Sequence, residues 1–303
     1  MFENETTLVL GAGASMPFEF PSGYELVEDI CKLPFDPGWQ QNWVEDFRYR
    51  FEEFKKTLKC SGINSIDTFL EHRNEYEDVG KYAIAVILKK CEIKSDVFKF
   101  NKNWYRLLFK KMNEGCTFDT FDKNKLSIVT FNYDRSIEYF LINSLSNTYK
   151  KGINDCFKTL DSINIIHVYG SLGKIMFTEA TNFYEKEENF DAITRASKQI
   201  HILGREERQS HFDDIYKVLL ESKVIYFLGF GYDKTNMELL KLKDLDKSIE
   251  FRGTHLEIIE EHHLELKKTL LMGTGVVRTR TIDRNKWRNN SITEYLKSHR
   301  IGS

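Results

Sequence analysis

Four short apolar runs punctuate the chain, each closing on small or polar residues: Thr7–Leu10, Leu126–Thr130, Ile163–Tyr169 and Val224–Leu228. Their hydrophobicity is nearly continuous, without polar alternation, which predicts strands buried on both faces, as in a parallel sheet covered by helices. The expected fold class is α/β, a Rossmann-like parallel sheet with helices on both faces. Ligands of such sheets sit in the crevice beyond the carboxyl ends of the strands. The four strand-end constellations are therefore expected to converge on one crevice.

More than ninety residues separate the first two runs, and they carry helical patterns over Trp43–Leu58, Ser65–Arg73 and Trp104–Met112. The run Ser65-Ile66-Asp67 before Phe69-Leu70-Glu71 reads as a helix start. A crossover of that length is a subdomain rather than a loop. The chain thus reads as a single domain, 1–303, with a core of 1–34 plus 125–303 and a helical insertion of about 35–124. Further on, helices are expected around Asn236–Leu245 and Ile258–Leu271, a strand over Gly275–Ile282, and a final helix from about Ile292.

Composition narrows the picture without directing it. Charged residues make up 30% and hydrophobic ones 41%, which suits an ordinary globular protein. The formal net charge of -2 recommends neither nucleic acid nor an anionic membrane as a partner. Arg278, Arg280, Arg284, Lys286 and Arg288 make the C-terminal end locally basic, a solvated surface or a patch for an acidic partner. Five scattered cysteines without a CxxC pair argue against a zinc ribbon or a disulfide framework, and no metal is expected. No run approaches the roughly 20 apolar residues of a membrane span, and Met1–Thr7 lacks the basic start of a secretory signal, so the expected location is cytoplasmic.

Each strand end carries candidate chemistry. Thr7–Leu10 runs into Gly11-Ala12-Gly13-Ala14-Ser15, a turn whose glycines let backbone approach a ligand and whose following helix offers amides to a pyrophosphate. The third glycine of GxGxxG is missing, and Met16 stands there. Thr130-Phe131-Asn132-Tyr133-Asp134 closes the second strand, where Asn and Asp either cap the next helix or face a ligand. His167, in Ile165-Ile166-His167-Val168-Tyr169-Gly170, is either a hydrogen-bonded core residue or a catalyst. The fourth strand ends in Gly229-Phe230-Gly231-Tyr232-Asp233, a packing bend or a ribose or adenine contact.

In this order, GAGAS, TFNYD, HVYG and GFGYD, the motifs resemble the sirtuin pattern, and more closely the sirtuin-like domains of bacterial anti-phage defence systems. The runs at 20–26 and 65–70 and the pair Gly253-Thr254 are similar to that family too, whereas the insertion is matched only thinly. The resemblance implies NAD as substrate, cleaved to nicotinamide and ADP-ribose by a glycohydrolase that depletes NAD when triggered during phage infection. It implies catalytic roles for Asn132 and His167, the latter neutral and able to accept a proton. Pyrophosphate would lie on Gly11, Ala12, Gly13 and Ser15, and adenosine on Gly229, Phe230 and Gly231, with Thr130 and Asp134 completing the binding set. A homo-oligomer and a HerA-type ATPase partner are further implications. Phe131 stands where deacylating sirtuins carry Gln, and the four-cysteine zinc module is absent, so deacylation is the weaker implication. A non-catalytic module that binds NAD or ADP-ribose is the third reading.

Overall fold

A computed structural model describes residues 1–34, 45–175, 189–202, 209–246, 248–254, 287–288, 291–298 and 301. Among these residues, one parallel sheet runs in the order β3-β2-β1-β4-β5-β6. Its strands are β1 (Thr6–Leu10), β2 (Leu126–Thr130), β3 (Asn164–His167), β4 (Val224–Leu228), β5 (Glu250–Thr254) and β6 (Trp287–Arg288). The order reverses between β1 and β4, the switch point at which doubly wound sheets open a ligand crevice. Every residue of β1 is buried, as expected of a central strand flanked on both sides, while Asn164 opens the partly exposed edge strand β3.

The four predicted strands are present, and β4 has the predicted bounds. The third is shorter than its apolar run, because β3 ends at His167 and the chain then turns at Gly170, whose φ is +71°. The strand β5 had no apolar run to announce it. Its sequence, EFRGT, pairs with β4 through the ladder, and Gly253 allows the approach, since a Cβ there would lie 2.4 Å from the Phe227 carbonyl oxygen. The predicted helix at Ile258–Leu271, the predicted strand at Gly275–Ile282 and the basic residues Arg278, Arg280, Arg284 and Lys286 lie outside the described residues.

The crossover from β1 to β2 is helical, as its length demands. It holds α1 (Gly23–Lys32), α2 (Glu45–Ser61), α3 (Ile66–His72), α4 (Glu77–Lys94) and α5 (Trp104–Asn113). Their starts are written in polar residues: Ser22 and Glu25 form a reciprocal capping box, Ser65 caps α3 and Asn103 caps α5. The run from Tyr82 to Leu88 is buried throughout, so α4 is the centre of this helical layer. The rest of the chain adds α6 (Ser136–Tyr149), α7 (Ile153–Leu160), α8 (Phe190–Ser197), α9 (Gln209–Glu221), α10 (Lys234–Leu239) and α11 (Ile292–Ser298). The helix expected over Asn236–Leu245 is instead α10 followed by a 3-10 turn at Leu242–Asp244. Of these, α8 packs on α4, with the rings of Tyr82 and Phe190 5.9 Å apart, so the helical layer recruits chain from beyond β3. Among the described residues, no helix is long and apolar enough to cross a membrane.

Two buried contacts fasten this layer to the sheet. Arg135, just ahead of α6, grips Glu92 of α4 with two parallel hydrogen bonds of 2.9 and 2.7 Å and also donates to the carbonyls of Gly173 and Lys174. With both side chains sealed from water, the pair needs those extra bonds to offset the desolvation of its charges. At the other end, the indole N–H of Trp104 donates to the Ala14 carbonyl at 2.8 Å.

The seam between β1 and β4 depends on glycine. Gly229 sits at φ +59°, and a Cβ there would lie 2.2 Å from the Ala14 nitrogen, inside any permitted contact. Gly231, two residues on, has nothing within 4 Å of such an atom. Gly229→Ala is therefore expected to lower the melting temperature by about 5 °C or more, and Gly231→Ala by less than about 2 °C. Thermal unfolding of both variants followed by circular dichroism makes the comparison, and equal shifts would contradict it.

Candidate functional site

A cavity of about 510 Å³ opens beyond the carboxyl ends of β1, β2 and β4. Gly11 and Ala12 form part of its floor, and Ser22 and Gly23 bring the start of α1 to its wall. The insertion supplies Asp67, and the β2 and β4 ends supply Asn132, Asp134, Phe230 and Gly231. No lysine, arginine or histidine lines it among the described residues.

The glycine turn departs from its expected form. Two 3-10 turns, Ala12–Ala14 and Met16–Phe18, follow β1, and the first α-helix waits until Gly23. Most amides of the turn are spent within the protein. Gly11 donates to the Leu228 carbonyl at 3.2 Å, Gly13 to that of Gly229 at 2.9 Å, Ala14 to Gly11 and Ser15 to Ala12. The Ala12 amide has no partner among the described residues, and Ala12 is part of the cavity wall. Gly13 and Gly229 are absent from the cavity wall: they face each other beneath it, each occupying the space that a Cβ on the other would need. The structure thus places these two in the seam between loops and not against a ligand.

Asn132 is fixed more tightly than its position at a strand end could tell. Its Nδ2 donates to the Gly11 carbonyl at 3.0 Å and to the Ser15 hydroxyl at 2.9 Å, and its backbone amide donates to Thr130 Oγ1 at 3.1 Å. A carbonyl can only accept, so the NH₂ must face Gly11, and Oδ1 is left as an acceptor for whatever enters the cavity. Thr130 and Ser15 serve as supports here: Thr130 is buried, outside the cavity wall, and also takes the Val168 amide on its carbonyl. Asp134 is buried too, accepting from the Ser136 amide at 3.1 Å and from the hydroxyls of Ser136 and Ser15, while burial pushes its carboxyl up from the usual range. Tyr105 of the insertion closes this chain of bonds at Ser136, 2.7 Å away.

His167 stands beside Asn132 but behind the cavity wall. Its Nδ1 lies 2.7 Å from the Asn132 carbonyl oxygen and its Nε2 2.7 Å from Glu138 Oε1. One partner is a carbonyl and the other a carboxylate, and a doubly protonated ring donates to both. Burial pulls the pKa down, yet Glu138, the Asn132 carbonyl and Asp134 together more than offset this, and the ring is held above its ordinary value. The resemblance implies a neutral, proton-accepting His167; here both of its nitrogens already have partners in the protein. One of these contacts ties the ring to the backbone of Asn132.

Sequence reasoning missed further residues of the site. Glu138 sits in the first turn of α6, where acidic residues ordinarily complement the helix dipole and draw no notice. Tyr169 lines the cavity and donates to Asn236, and Tyr133 lines it and donates to Asp67. Phe131 and Phe230 meet edge to face at 5.1 Å, with Tyr169 5.8 Å from Phe131, giving the cavity an aromatic side. Neither the family models nor the curated proteins compared with this chain match it.

The raised pKa of His167 has a definite sign in stability. Its pairing with Glu138 contributes fully below the unfolded value of 6.5 and is lost as pH rises through the higher folded value. The unfolding free energy of the wild type, relative to His167→Gln, is expected to fall as pH rises from about 6 to about 9. Urea denaturation of both proteins across that range measures the difference: a flat profile would show a ring whose pKa is the same folded and unfolded, and a rising one a ring held neutral.

Proposed function

We propose that this protein hydrolyses NAD at the nicotinamide glycosidic bond. The observation that carries the reading is Asn132: its amide hydrogens are consumed by Gly11 and Ser15, and its Oδ1 remains as a fixed acceptor in a cavity at the sheet's switch point. Such a group holds a ribose hydroxyl or the attacking water in one orientation. The polarity of the wall suits the rest of the molecule. Ala12 and Gly23 bring backbone to the wall without a cationic side chain beside it, a surface for a pyrophosphate, and Phe131, Phe230 and Tyr169 offer ring faces and edges to a base.

Nicotinamide leaves as a neutral molecule, so its departure needs no general acid. What the site must supply is an environment that tolerates the oxocarbenium-like ribose, and Asp67 and Asp134 put carboxyl groups on the wall for that purpose. Phe131 packs against Phe230 where a deacylase of the resembling family carries Gln, which weighs against an acyl oxygen as nucleophile. The wider role, an anti-phage effector that depletes NAD when triggered, as a homo-oligomer or with a HerA-type ATPase, extends the motif resemblance and is part of this proposal.

One observation favours a second reading. With both ring nitrogens of His167 engaged, the site lacks the free imidazole that the resemblance implies, as a module that binds NAD or ADP-ribose without turnover would. Nicotinamide release by the purified protein, without acylated peptide, separates the two. The hydrolase reading expects release that falls by about 100-fold or more in Asn132→Ala, with the fold checked by its melt. NAD that raises the melting temperature by mass action without being consumed would favour the binding module.

A further inference from the structure

If His167 is not the proton acceptor, the cavity must contain another, and its wall holds few candidates. Asp134 is surrounded by the donors of Ser136 and Ser15. Asp233 stands exposed at the rim and spends Oδ1 on the amides of Thr235 and Asn236, capping α10. Asn132 has no basic atom at neutral pH. Asp67 differs from all of these: it is half-buried in the wall, and its carboxylate accepts only the Tyr133 hydroxyl and its own amide among the described residues. A carboxylate has about four lone-pair directions, so part of its capacity is unspent.

We propose that Asp67 is the general base of the glycohydrolase, an assignment that rests on the hydrolytic reading above. In the step, the C1′–N bond breaks and its electron pair passes to the nicotinamide nitrogen, cancelling the positive charge of the ring. A water oxygen bonds to C1′, and the proton it sheds goes to the Asp67 carboxylate, which later releases it to solvent. The products are nicotinamide, ADP-ribose and one proton, so charge and atoms balance. Tyr133 keeps donating to Oδ1 and holds the carboxylate in a single orientation, while Asn132, on the same loop, holds the ribose or the water.

The environment supports this role. Loss of solvent raises the Asp67 carboxyl to about 6, against the Tyr133 hydroxyl and its own amide, which pull it down, with Glu71 adding a smaller upward push. A base with a value near the working pH combines a high ionised fraction with useful proton affinity. The placement also ties chemistry to architecture. Asp67 belongs to α3 of the helical insertion, whereas Asn132 and Tyr133 belong to the loop that follows β2, so the reacting groups meet only when the two are docked.

The test uses the full chain and NAD itself. Asp67→Asn preserves shape and can still accept from Tyr133, and it is expected to lower kcat by about 100-fold to 10,000-fold while NAD affinity, measured by calorimetry, changes by less than about threefold. Formate is expected to restore part of kcat in Asp67→Ala and none in Asn132→Ala, which a purely structural role for Asp67 does not predict. A wild type that hydrolyses NAD beside an Asp67→Asn variant of similar kcat would overturn the assignment and leave the hydrolase reading standing. Loss of affinity in step with kcat, without formate rescue, would overturn it as well. A wild type that releases no nicotinamide sinks both. Should Asp67→Asn lose its cooperative melt, Asp67→Glu is measured in its place, and it must keep at least about a tenth of the wild-type kcat, since it retains a carboxylate.

Discussion

Three distant parts of the chain are fastened to the five residues that follow β1. The β4 loop delivers its Gly229 carbonyl to the Gly13 amide, the β2 loop its Asn132 side chain to Gly11 and Ser15, and the insertion its Trp104 indole to Ala14. Each bond alone contributes only about 0.5–1.5 kcal/mol. Their importance is geometric, because they share one short segment of backbone and so fix three loops relative to one another. Glycine makes the sharing possible: a Cβ on Gly11 or Gly13 would lie 2.7 or 2.9 Å from atoms of Gly229. The turn that looks from sequence like a cradle for phosphate is first of all a joint.

That joint explains why the fold could be read from the sequence better than the site. Strands β1, β2 and β4 show themselves because burial on both faces demands unbroken apolar runs, and Ser22 with Glu25, Ser65 and Asn103 mark helix starts that local chemistry dictates. The strand β5 is invisible for the opposite reason, since EFRGT becomes a strand only through its ladder to β4. Asn132 and Asp134 were recognisable as polar residues at a strand end, but which atom of the amide stays open follows from Gly11, far away in sequence. Glu138 behind His167 and Asp67 beside Tyr133 are pairings across the tertiary structure, and no periodicity records them.

The electrostatic character of the cavity follows from the same division of labour. Its wall carries Asp67, Asp134 and Asp233 and, among the described residues, no lysine, arginine or histidine, while the basic groups nearby are engaged in contacts within the protein. Arg135 is buried against Glu92, and the His167 ring is closed between Glu138 and the Asn132 carbonyl.

The central position of β1 has a consequence for how the chain assembles. Thr6 pairs with Leu126 on one side and with Val224 on the other, so the first strand to be synthesised is flanked by partners that arrive very late. Closing such long loops has a large entropic cost before any ladder bond repays it, which puts sheet formation after the helices of the insertion have organised. Until then the apolar TTLVL segment has no sheet neighbours, and its edges can pair with another chain. A nascent molecule is therefore most exposed to misassembly during the interval between the emergence of β1 and that of β4.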